Sequence, residues 1–545
     1  MGETVGARVA GRGAARHSVP GRSRWLRWSP EAAVIVAAAA LALAIRAYQL
    51  ARPGYLLGVT EYDDGPYFGS AVRLISGVLP YKSFVVVQPP GITLLMVPAA
   101  VIGKISGSTA AGMAIGRILT SLASVAAVVL AGLWVRHRGV LAVLVTCGVT
   151  AVYPDAVGAA HTVLVEPWLV VFTLAGLITV FDRDQVTSRA RRLGWGGVLL
   201  GAAGLVEGWA IVAVLVLLAL IAATTGPGRW RRAGWVAGGV AAGFIIPVAP
   251  FLAASPHGFY RSLITAQIGR RAHAVRVGAV DRLRDMAGLT DFRLPTTGAV
   301  VFIAVAIAVV TVGLAVAAWI LTRRPPPPLD TFALVATAAV VGMLWWPNQF
   351  HYHFSAFLAP FLAAAIGLSA ARWAGALAGT RPAAAPWLRW GTSGLAAGLL
   401  IWFSVVHFGT ESRLRPYISP AEISSVTRTI PRGACVVSDE ASYLLMANRF
   451  SSDVPGCSQL IDGLGTDLAL SGGLKPATGA GRHPAVAATW RSAFRHAGYA
   501  LLTISQYKRI PYAHGLRHYF RSNFAEVAHD ARGDKLYVRT PASHG

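Results

Sequence analysis

After the first apolar segment, residues 61–67 read Glu-Tyr-Asp-Asp-Gly-Pro-Tyr. The segment continues into Leu-Pro-Tyr-Lys at 79–82 and Gln-Pro-Pro-Gly at 88–91. Carboxylates are costly near lipid and tend to mark function where they persist there. Tight Pro and Gly turns hold such a loop in one shape. We therefore interpret this segment as the catalytic loop of a membrane-embedded enzyme.

The composition of the whole chain supports a membrane location. Of its 545 residues 54% are hydrophobic and 13% are charged, with a mean hydropathy of +0.54. That balance is typical of proteins that cross a lipid bilayer several times. The net charge is +25, but many of the basic residues lie in short loops between apolar segments, where membrane orientation explains them. Nucleic acid is therefore not expected as a partner.

The apolar segments predict a polytopic α-helical protein with about eleven spans. The arginine-rich turns between them lie on the cytoplasmic side if the positive-inside rule holds, which puts the N-terminus inside and the C-terminus outside the plasma membrane. The segment 92–105 is short and contains Pro98, so we expect a juxtamembrane helix at the outer face. The predicted spans are 32–50, 110–135, 139–154, 166–181, 194–207, 208–224, 234–254, 297–321, 331–347, 354–371 and 391–408.

Three regions follow from this reading. Residues 1–30 carry six arginines and no apolar period, which predicts a disordered basic cytoplasmic tail. Residues 31–408 form the transmembrane catalytic domain. Residues 409–545 are more polar, with short β-like and helical runs, and predict a small extracytoplasmic α/β domain. A disulfide between Cys435 and Cys457 is plausible there.

Acidic residues from separate outer loops form the first group of candidate site residues. Asp63 and Asp64 lie in the first loop, and Glu166 lies where the chain re-enters the membrane, near Asp155. Such carboxylates could bind a divalent metal ion, with Asp64 and Glu166 as ligands, or supply a general base for a hydroxyl. The alternative for Asp155 and Glu166 is that they cap helix ends.

Basic residues of the outer loop 255–296 form the second group. Seven arginines outside the membrane are disfavoured by the positive-inside rule, and an anionic partner would explain them. Some can pair with nearby aspartates on a solvated helix. The segment with Gln267, Arg270, Arg271 and His273 has no local acid, and we assign it to phosphate binding.

Aromatic, lysine and histidine side chains complete the expected substrate site. Tyr67, Tyr81 and Lys82 lie in the first loop, and Lys82 could instead reach a lipid headgroup. His351 and His353 follow the ninth predicted span. Because the two histidines are two positions apart, they do not share a helix face and are not expected to bind a metal ion together. We expect them to form hydrogen bonds with the substrate.

The order of these motifs resembles a known enzyme family. The acid pair followed by Gly and Tyr, then Gly77-x-x-Pro80-Tyr81 and Pro-Pro-Gly at 89–91, resembles the protein O-mannosyltransferase and aminoarabinose-transferase branch of the GT-C glycosyltransferases. Leu-Val-Glu-Pro at 164–167 is similar to the second acidic position of that branch. The resemblance covers about residues 30–370.

The resemblance implies a reaction. Such enzymes move a sugar, with inversion, from a polyprenyl-phosphate donor to an acceptor outside the membrane, here a cell-envelope glycan, lipid or protein. It implies that Asp63 or Asp64 is the base, that Glu166 supports a metal or the acceptor, and that Lys82, Arg270 and Arg271 hold the lipid phosphate. The resemblance does not imply whether the reaction of this chain depends on a metal ion.

Two other functions remain as alternatives. A transporter or flippase for a polyprenyl-linked substrate should show inverted repeats and Gly/Pro-broken spans in matching halves, and the sequence shows no such symmetry. A non-catalytic membrane scaffold predicts that Asp63 and Asp64 are dispensable.

Overall fold

The computed structural model describes residues 29–224, 227–273 and 276–540, and the predicted cytoplasmic tail falls almost wholly outside these ranges. In the membrane region the helices are α1 (Pro30–Leu50), α2 (Asp64–Leu74), α3 (Gly91–Ile105), α4 (Thr109–Val135), α5 (Val140–Val152), α6 (Pro154–Gly158), α7 (Glu166–Val180), α8 (Ala190–Val206), α9 (Ala210–Ala223), α10 (Arg229–Ala254), α11 (Pro256–Tyr260), α12 (Ala266–His273), α13 (Ala279–Met286), α14 (Thr297–Thr322), α15 (Pro328–Trp345), α16 (Ser355–Thr380) and α17 (Ala385–Glu411). A hairpin of β1 (Phe181–Asp182) and β2 (Gln185–Val186) joins α7 to α8, and a π-helical turn at Arg261–Thr265 precedes α12.

A helix occupies each of the eleven segments that the sequence predicts as spans: α1, α4, α5, α7, α8, α9, α10, α14, α15, α16 and α17. Seven candidate spans in the described part of the chain are long and apolar enough to cross a membrane. The helices α5, α7 and α9 are apolar but shorter. The number of spans therefore stays a prediction, although the helices lie where the hydropathy places them.

Small residues allow the close packing of α8 and α10. A Cβ added to Gly201 would lie 2.3 Å from the carbonyl oxygen of Val240, and one added to Gly243 would lie 2.2 Å from that of Val198. Only glycine permits the two backbones to touch in this way, a packing mode that membrane helices favour. The contact fixes the end of α8, which leads into Glu207 and Trp209 at the candidate site.

The C-terminal region contains a four-stranded mixed sheet. Its helices are α18 (Pro420–Thr427), α19 (Ala441–Met446), α20 (Gly463–Ser471), α21 (Pro484–His496), α22 (Gln506–Arg509) and α23 (His514–Asn523), and its strands are β3 (Val436–Ser438), β4 (Tyr499–Leu502), β5 (Phe524–His529) and β6 (Lys535–Arg539). The strand order is β3-β4-β6-β5, with β3 parallel to β4 and the other pairs antiparallel. Trp490 and Phe494 pack beneath the sheet, and Cys435 is joined to Cys457 by a disulfide.

The C-terminal region is attached to the membrane region at several points. Val59 pairs with Ile418 in an isolated antiparallel bridge. Asn448 Oδ1 accepts hydrogen bonds from Ser108 Oγ (2.9 Å), Thr109 Oγ1 (3.3 Å) and the backbone N–H of Ala110 (3.0 Å) at the start of α4. These contacts attach the C-terminal region to the first loop and to the start of α4.

Candidate active site

The two adjacent aspartates of the first loop have different surroundings. Asp64 begins α2 and is fully buried, whereas Asp63 precedes the helix and is partly exposed to a cavity. Successive residues at the start of a helix point in directions about 100° apart, so one carboxylate turns inward and its neighbour turns to the cavity. This difference separates their possible roles.

The Asp64 carboxylate is held by residues from three other parts of the chain. Arg117 of α4 donates to Asp64 Oδ2 at 2.7 Å, Thr162 donates to the same oxygen, and Ser442 of α19 donates to Oδ1. Both Arg117 and Asp64 are fully buried. A buried, charge-assisted and multiply bonded carboxylate of this kind fixes the position of the segment that carries it.

Arg117 also organises the backbone that leads into the first loop. Its Nη1 donates to the carbonyl oxygens of Tyr55 (3.2 Å), Leu56 (2.7 Å) and Gly58 (2.8 Å). An arginine in the middle of an apolar segment needs such partners, because an unpaired charge there is very costly. Arg117 is not among the residues predicted from the sequence, although its place within the apolar segment 110–135 is a usable signal.

Asp63 lines a cavity of about 180 Å³ between the first loop, the start of α7, α12 and the C-terminal region. Among the described residues, no donor group forms a hydrogen bond with its carboxylate. The cavity is lined by three further acids, three amide side chains and several aromatic rings: Asp63, Pro66, Tyr67, Val87, Gln88, Val165, Glu166, Glu207, Trp209, Gln267, Pro347, Gln349, His353, Phe354 and Asp462. The cavity therefore combines a free carboxylate with hydrogen-bonding groups that suit a polyhydroxylated substrate.

Glu166 and His353 form a buried pair on one wall of this cavity. His353 Nδ1 lies 2.7 Å from Glu166 Oε1, and the two side chains are 5% and 1% exposed. Glu166 Oε2 is buried and has no hydrogen-bond partner among the described residues. The ring of His351 stacks on that of His353 with centroids 5.5 Å apart. The structure thus brings together Glu166 and His353, which the sequence selected separately.

The aromatic residues of the first loop have different positions. Tyr67 lines the cavity, and its hydroxyl accepts a hydrogen bond from Gln88 Nε2 at 3.2 Å. Tyr81 is buried, donates to the carbonyl oxygen of Gln88 at 2.6 Å, and packs edge-on against Phe251 and Phe259. Lys82 is exposed and is not part of the cavity wall. Tyr81 therefore shapes the loop from behind.

The predicted phosphate-binding segment lies in α12. Gln267 lines the cavity and donates to the carbonyl oxygen of Val87 at 2.8 Å. Arg270, Arg271 and His273 follow it in the same helix, but their side chains fall outside the described part of the structure.

The C-terminal region supplies a wall of the cavity that sequence reasoning missed. Asp462 lines the cavity, and its Oδ1 accepts from the backbone N–H of Gly465 (2.7 Å) and from Tyr62 Oη (3.4 Å). The guanidinium of Arg509 lies 4.5 Å from the ring centroid of Tyr62 and pairs with Glu440. Asp462 lies 400 positions after Tyr62, which it contacts, so no local sequence pattern predicts this contact.

Burial and nearby charge shift two titratable groups of these outer loops. Burial, with the negative charge of Asp63 as the next cause, raises the pKa of Glu61 to about 7. Burial lowers the pKa of His161 to about 4. Glu61 therefore changes charge near neutral pH within the loop that carries Asp63.

The divalent metal ion that the sequence left open, with Asp64 and Glu166 as ligands, stays a prediction. Asp64 accepts hydrogen bonds from Arg117, Thr162 and Ser442, and one oxygen of Glu166 pairs with His353. The described residues contain no group of three or more His, Cys, Asp or Glu side chains placed to hold a metal ion. We therefore derive no step through a metal.

The fold is shared with solved structures, although neither a family model nor a curated protein sequence matches the chain. ArnT from Cupriavidus metallidurans bound to undecaprenyl phosphate superposes with a TM-score of 0.60 and 14% identity, over 94% of this chain and 99% of that one. The Archaeoglobus fulgidus oligosaccharyltransferase tethered with an acceptor peptide gives a TM-score of 0.55 and 13% identity, over 95% and 75%.

The same archaeal enzyme, AglB, in complex with an inhibitory peptide and a dolichol-phosphate gives a TM-score of 0.55 and 13% identity, over 96% and 75%. At these identities the likeness shows the fold. The chain shares the fold of these structures, which is mostly helical with a small C-terminal sheet. The GT-C resemblance that the first loop indicated is thereby confirmed at the level of fold.

Proposed function

We propose that this protein transfers a sugar from a polyprenyl-phosphate donor to an acceptor hydroxyl on the outer side of the plasma membrane, with inversion. The fold supports the proposal, because similar structures carry undecaprenyl phosphate and dolichol-phosphate. The topology that the arginine distribution predicts places the cavity and the C-terminal region on that outer side.

The observation that carries the proposal is the contrast between Asp63 and Asp64. A general base needs free lone pairs, a fixed position and access to the substrate. Asp63 lines the cavity and accepts no hydrogen bond from the described residues. Asp64 accepts bonds from Arg117, Thr162 and Ser442 and is closed off from the cavity. We therefore assign the base to Asp63.

The reaction follows from this placement. Asp63 accepts the proton of the acceptor hydroxyl as its oxygen attacks the anomeric carbon of the donor sugar. The bond from that carbon to the phosphate oxygen breaks on the opposite face, and the polyprenyl phosphate leaves with the bonding electrons. One displacement at one carbon inverts its configuration.

Cations are needed where the leaving phosphate develops charge. Gln267 faces the cavity, and Arg270 and Arg271 follow it by three and four positions in α12. We assign these two arginines to the phosphate, because a guanidinium can bind two phosphate oxygens at once. Lys82 lies outside the cavity wall and is assigned to the polyprenyl phosphate at the membrane surface.

The Glu166–His353 pair is assigned to the acceptor or the sugar hydroxyls. The second oxygen of Glu166 has no partner among the described residues, and a buried carboxylate oxygen gains from accepting a hydroxyl. His353 holds the other oxygen and so orients the group.

The test is transfer of labelled sugar from polyprenyl-phosphate donors by the purified protein in reconstituted membranes. We expect Asp63→Asn to abolish transfer while the thermal unfolding midpoint stays at the wild-type value. Asp182→Asn is the matched control, since this carboxylate is 61% exposed on the predicted cytoplasmic side. Wild-type transfer by Asp63→Asn would remove the base assignment. Lipid translocation without any sugar transfer would favour a transporter.

A further inference from the structure

The cavity that Asp63 lines is called the catalytic cavity below. A second cavity, of about 450 Å³, lies on a different face of α2. Asp63, Pro66 and Tyr67 face the catalytic cavity, whereas the second one lies against the later turns of α2. It is closed by the turn between α3 and α4 and by the C-terminal region. Its lining is Phe68, Val72, Arg73, Ile75, Ser76, Ala100, Gly103, Lys104, Gly107, Ser108, Thr109, Arg432, Gly433, Asn448, Ser451, Ser452 and Asp453.

Three cations from three different segments line this cavity. Arg73 comes from the end of α2, Lys104 from the end of α3 and Arg432 from the C-terminal region. None of them forms an ion pair with any residue in the described ranges, and Asp453 is the one acid in the lining. An anion bound in this cavity would give these cations the partner that the described residues do not supply.

Arg73 shows most clearly that a partner is missing from the protein itself. Its Nε is buried and has no hydrogen-bond partner among the described residues. Burial lowers the pKa of this guanidinium, and no carboxylate opposes that effect. A buried donor on a charged group is costly unless an acceptor reaches it. A phosphate oxygen has the charge and geometry to do so.

The surroundings of the cavity are those of a membrane surface. Helix α3 is apolar, and it exposes Val101 (39%), Ile102 (45%) and Ile105 (81%) on either side of Lys104. Large exposed apolar side chains next to a cation are typical of a helix at the lipid headgroup level. The described protein offers nothing that covers these side chains.

We propose that this second cavity is a binding site for the headgroup of an anionic phospholipid of the outer leaflet. The headgroup phosphate lies between Arg73, Lys104 and Arg432, and the acyl chains lie along the exposed face of α3. The site is separate from the catalytic cavity and does not depend on the proposed transferase activity.

The experiment measures lipid retention by the full-length protein. The purified protein is reconstituted with equimolar phosphatidylglycerol and phosphatidylcholine, and bound lipids are counted by native mass spectrometry. We expect the wild type to retain phosphatidylglycerol preferentially. The double variant Lys104→Gln/Arg432→Gln, whose positions are both exposed, should lose affinity about 25-fold, since each surface cation contributes about fivefold. Adding Arg73→Gln should remove the preference.

The matched control removes one exposed lysine and two exposed arginines elsewhere in the C-terminal region: Lys508→Gln, Arg495→Gln and Arg521→Gln. We expect it to retain phosphatidylglycerol like the wild type. Equal loss in the control, or full retention by the double variant, would overturn the site. Displacement of the lipid by inorganic phosphate at equal concentration would overturn the lipid assignment and leave a free phosphate as the ligand.

Discussion

The Asp64–Arg117 pair gives the sharpest prediction for stability. Asp64→Asn keeps the size of the side chain and removes its charge. Arg117 then remains fully buried without a counter-charge, although it still donates to the backbone carbonyls of residues 55–58. Removing one partner of a buried ion pair typically costs about 3–5 kcal/mol. Because Arg117 keeps hydrogen bonds to those carbonyls and to the Asn oxygen, we expect the free energy of unfolding to fall by about 3 kcal/mol.

The assay is thermal or denaturant unfolding of the detergent-purified protein, with limited proteolysis to follow the C-terminal region. Asp64→Asn should lower the midpoint and expose the chain around Ser442, because one of its hydrogen-bond acceptors changes. The double variant Asp64→Asn/Arg117→Met removes both charges and should recover much of the loss, since an apolar replacement of a buried pair is often close to neutral.

If Asp64→Asn unfolds at the wild-type midpoint yet has no transferase activity, then Asp64 is the base and the buried ion pair does not stabilise the fold. If Asp63→Asn lowers stability as much as Asp64→Asn, the division of roles between the two aspartates is wrong.

Three further predictions concern the same junction. The pKa of Glu61 is raised from 4.5 to about 7, so the folded state binds the Glu61 proton more tightly than the unfolded chain does. The stability that protonated Glu61 contributes is therefore lost as the pH rises from 4.5 to about 7. Glu61→Gln should raise the unfolding midpoint at pH 8 but not at pH 4. Asn448 has a φ of +54° and accepts three hydrogen bonds. Asn448→Gly should lose only these bonds, because glycine adopts a positive φ without strain. Asn448→Ala should be less stable by about a further 1 kcal/mol in the same unfolding assay, because alanine is strained there. Cys435→Ser/Cys457→Ser opens a link between residues 22 positions apart and should destabilise the C-terminal region by about 3 kcal/mol, measured by denaturant unfolding against the oxidised wild type.

The helical part of the fold could be predicted because hydropathy alone determines it. Each predicted span has a helix, and the polar composition after residue 409 marks the α/β region. The ends are less predictable: α17 continues to Glu411, because polar residues at a helix end change hydropathy before they end the hydrogen-bond pattern.

The candidate site could be predicted only as separate residues, each from a local signal. The acids and turns of the first loop indicated Asp63 and Tyr67, and Glu166, Gln267 and His353 were selected in other loops; all five line the cavity. Sequence could not tell Asp63 from Asp64, because their difference arises from Arg117 and from Ser442, which lies 378 positions away. Contacts between residues so far apart produce no periodic or local pattern in the sequence.

In the proposed mechanism, in which Asp63 is the base, these long-range contacts give the neighbouring Asp64 a supporting role. The hydrogen bonds to Asp64 tie the start of α2 to α4 and to the C-terminal region, and Asp63 is fixed because it is bonded covalently to an immobile neighbour. A base that needs free oxygens cannot be positioned through its own hydrogen bonds, since those would occupy the lone pairs it uses. Because Arg117 neutralises Asp64, the second carboxylate can provide this support without adding an unbalanced negative charge beside the first. The position of Asp63 therefore depends on the docking of the C-terminal region, which also supplies Asp462 to the cavity wall.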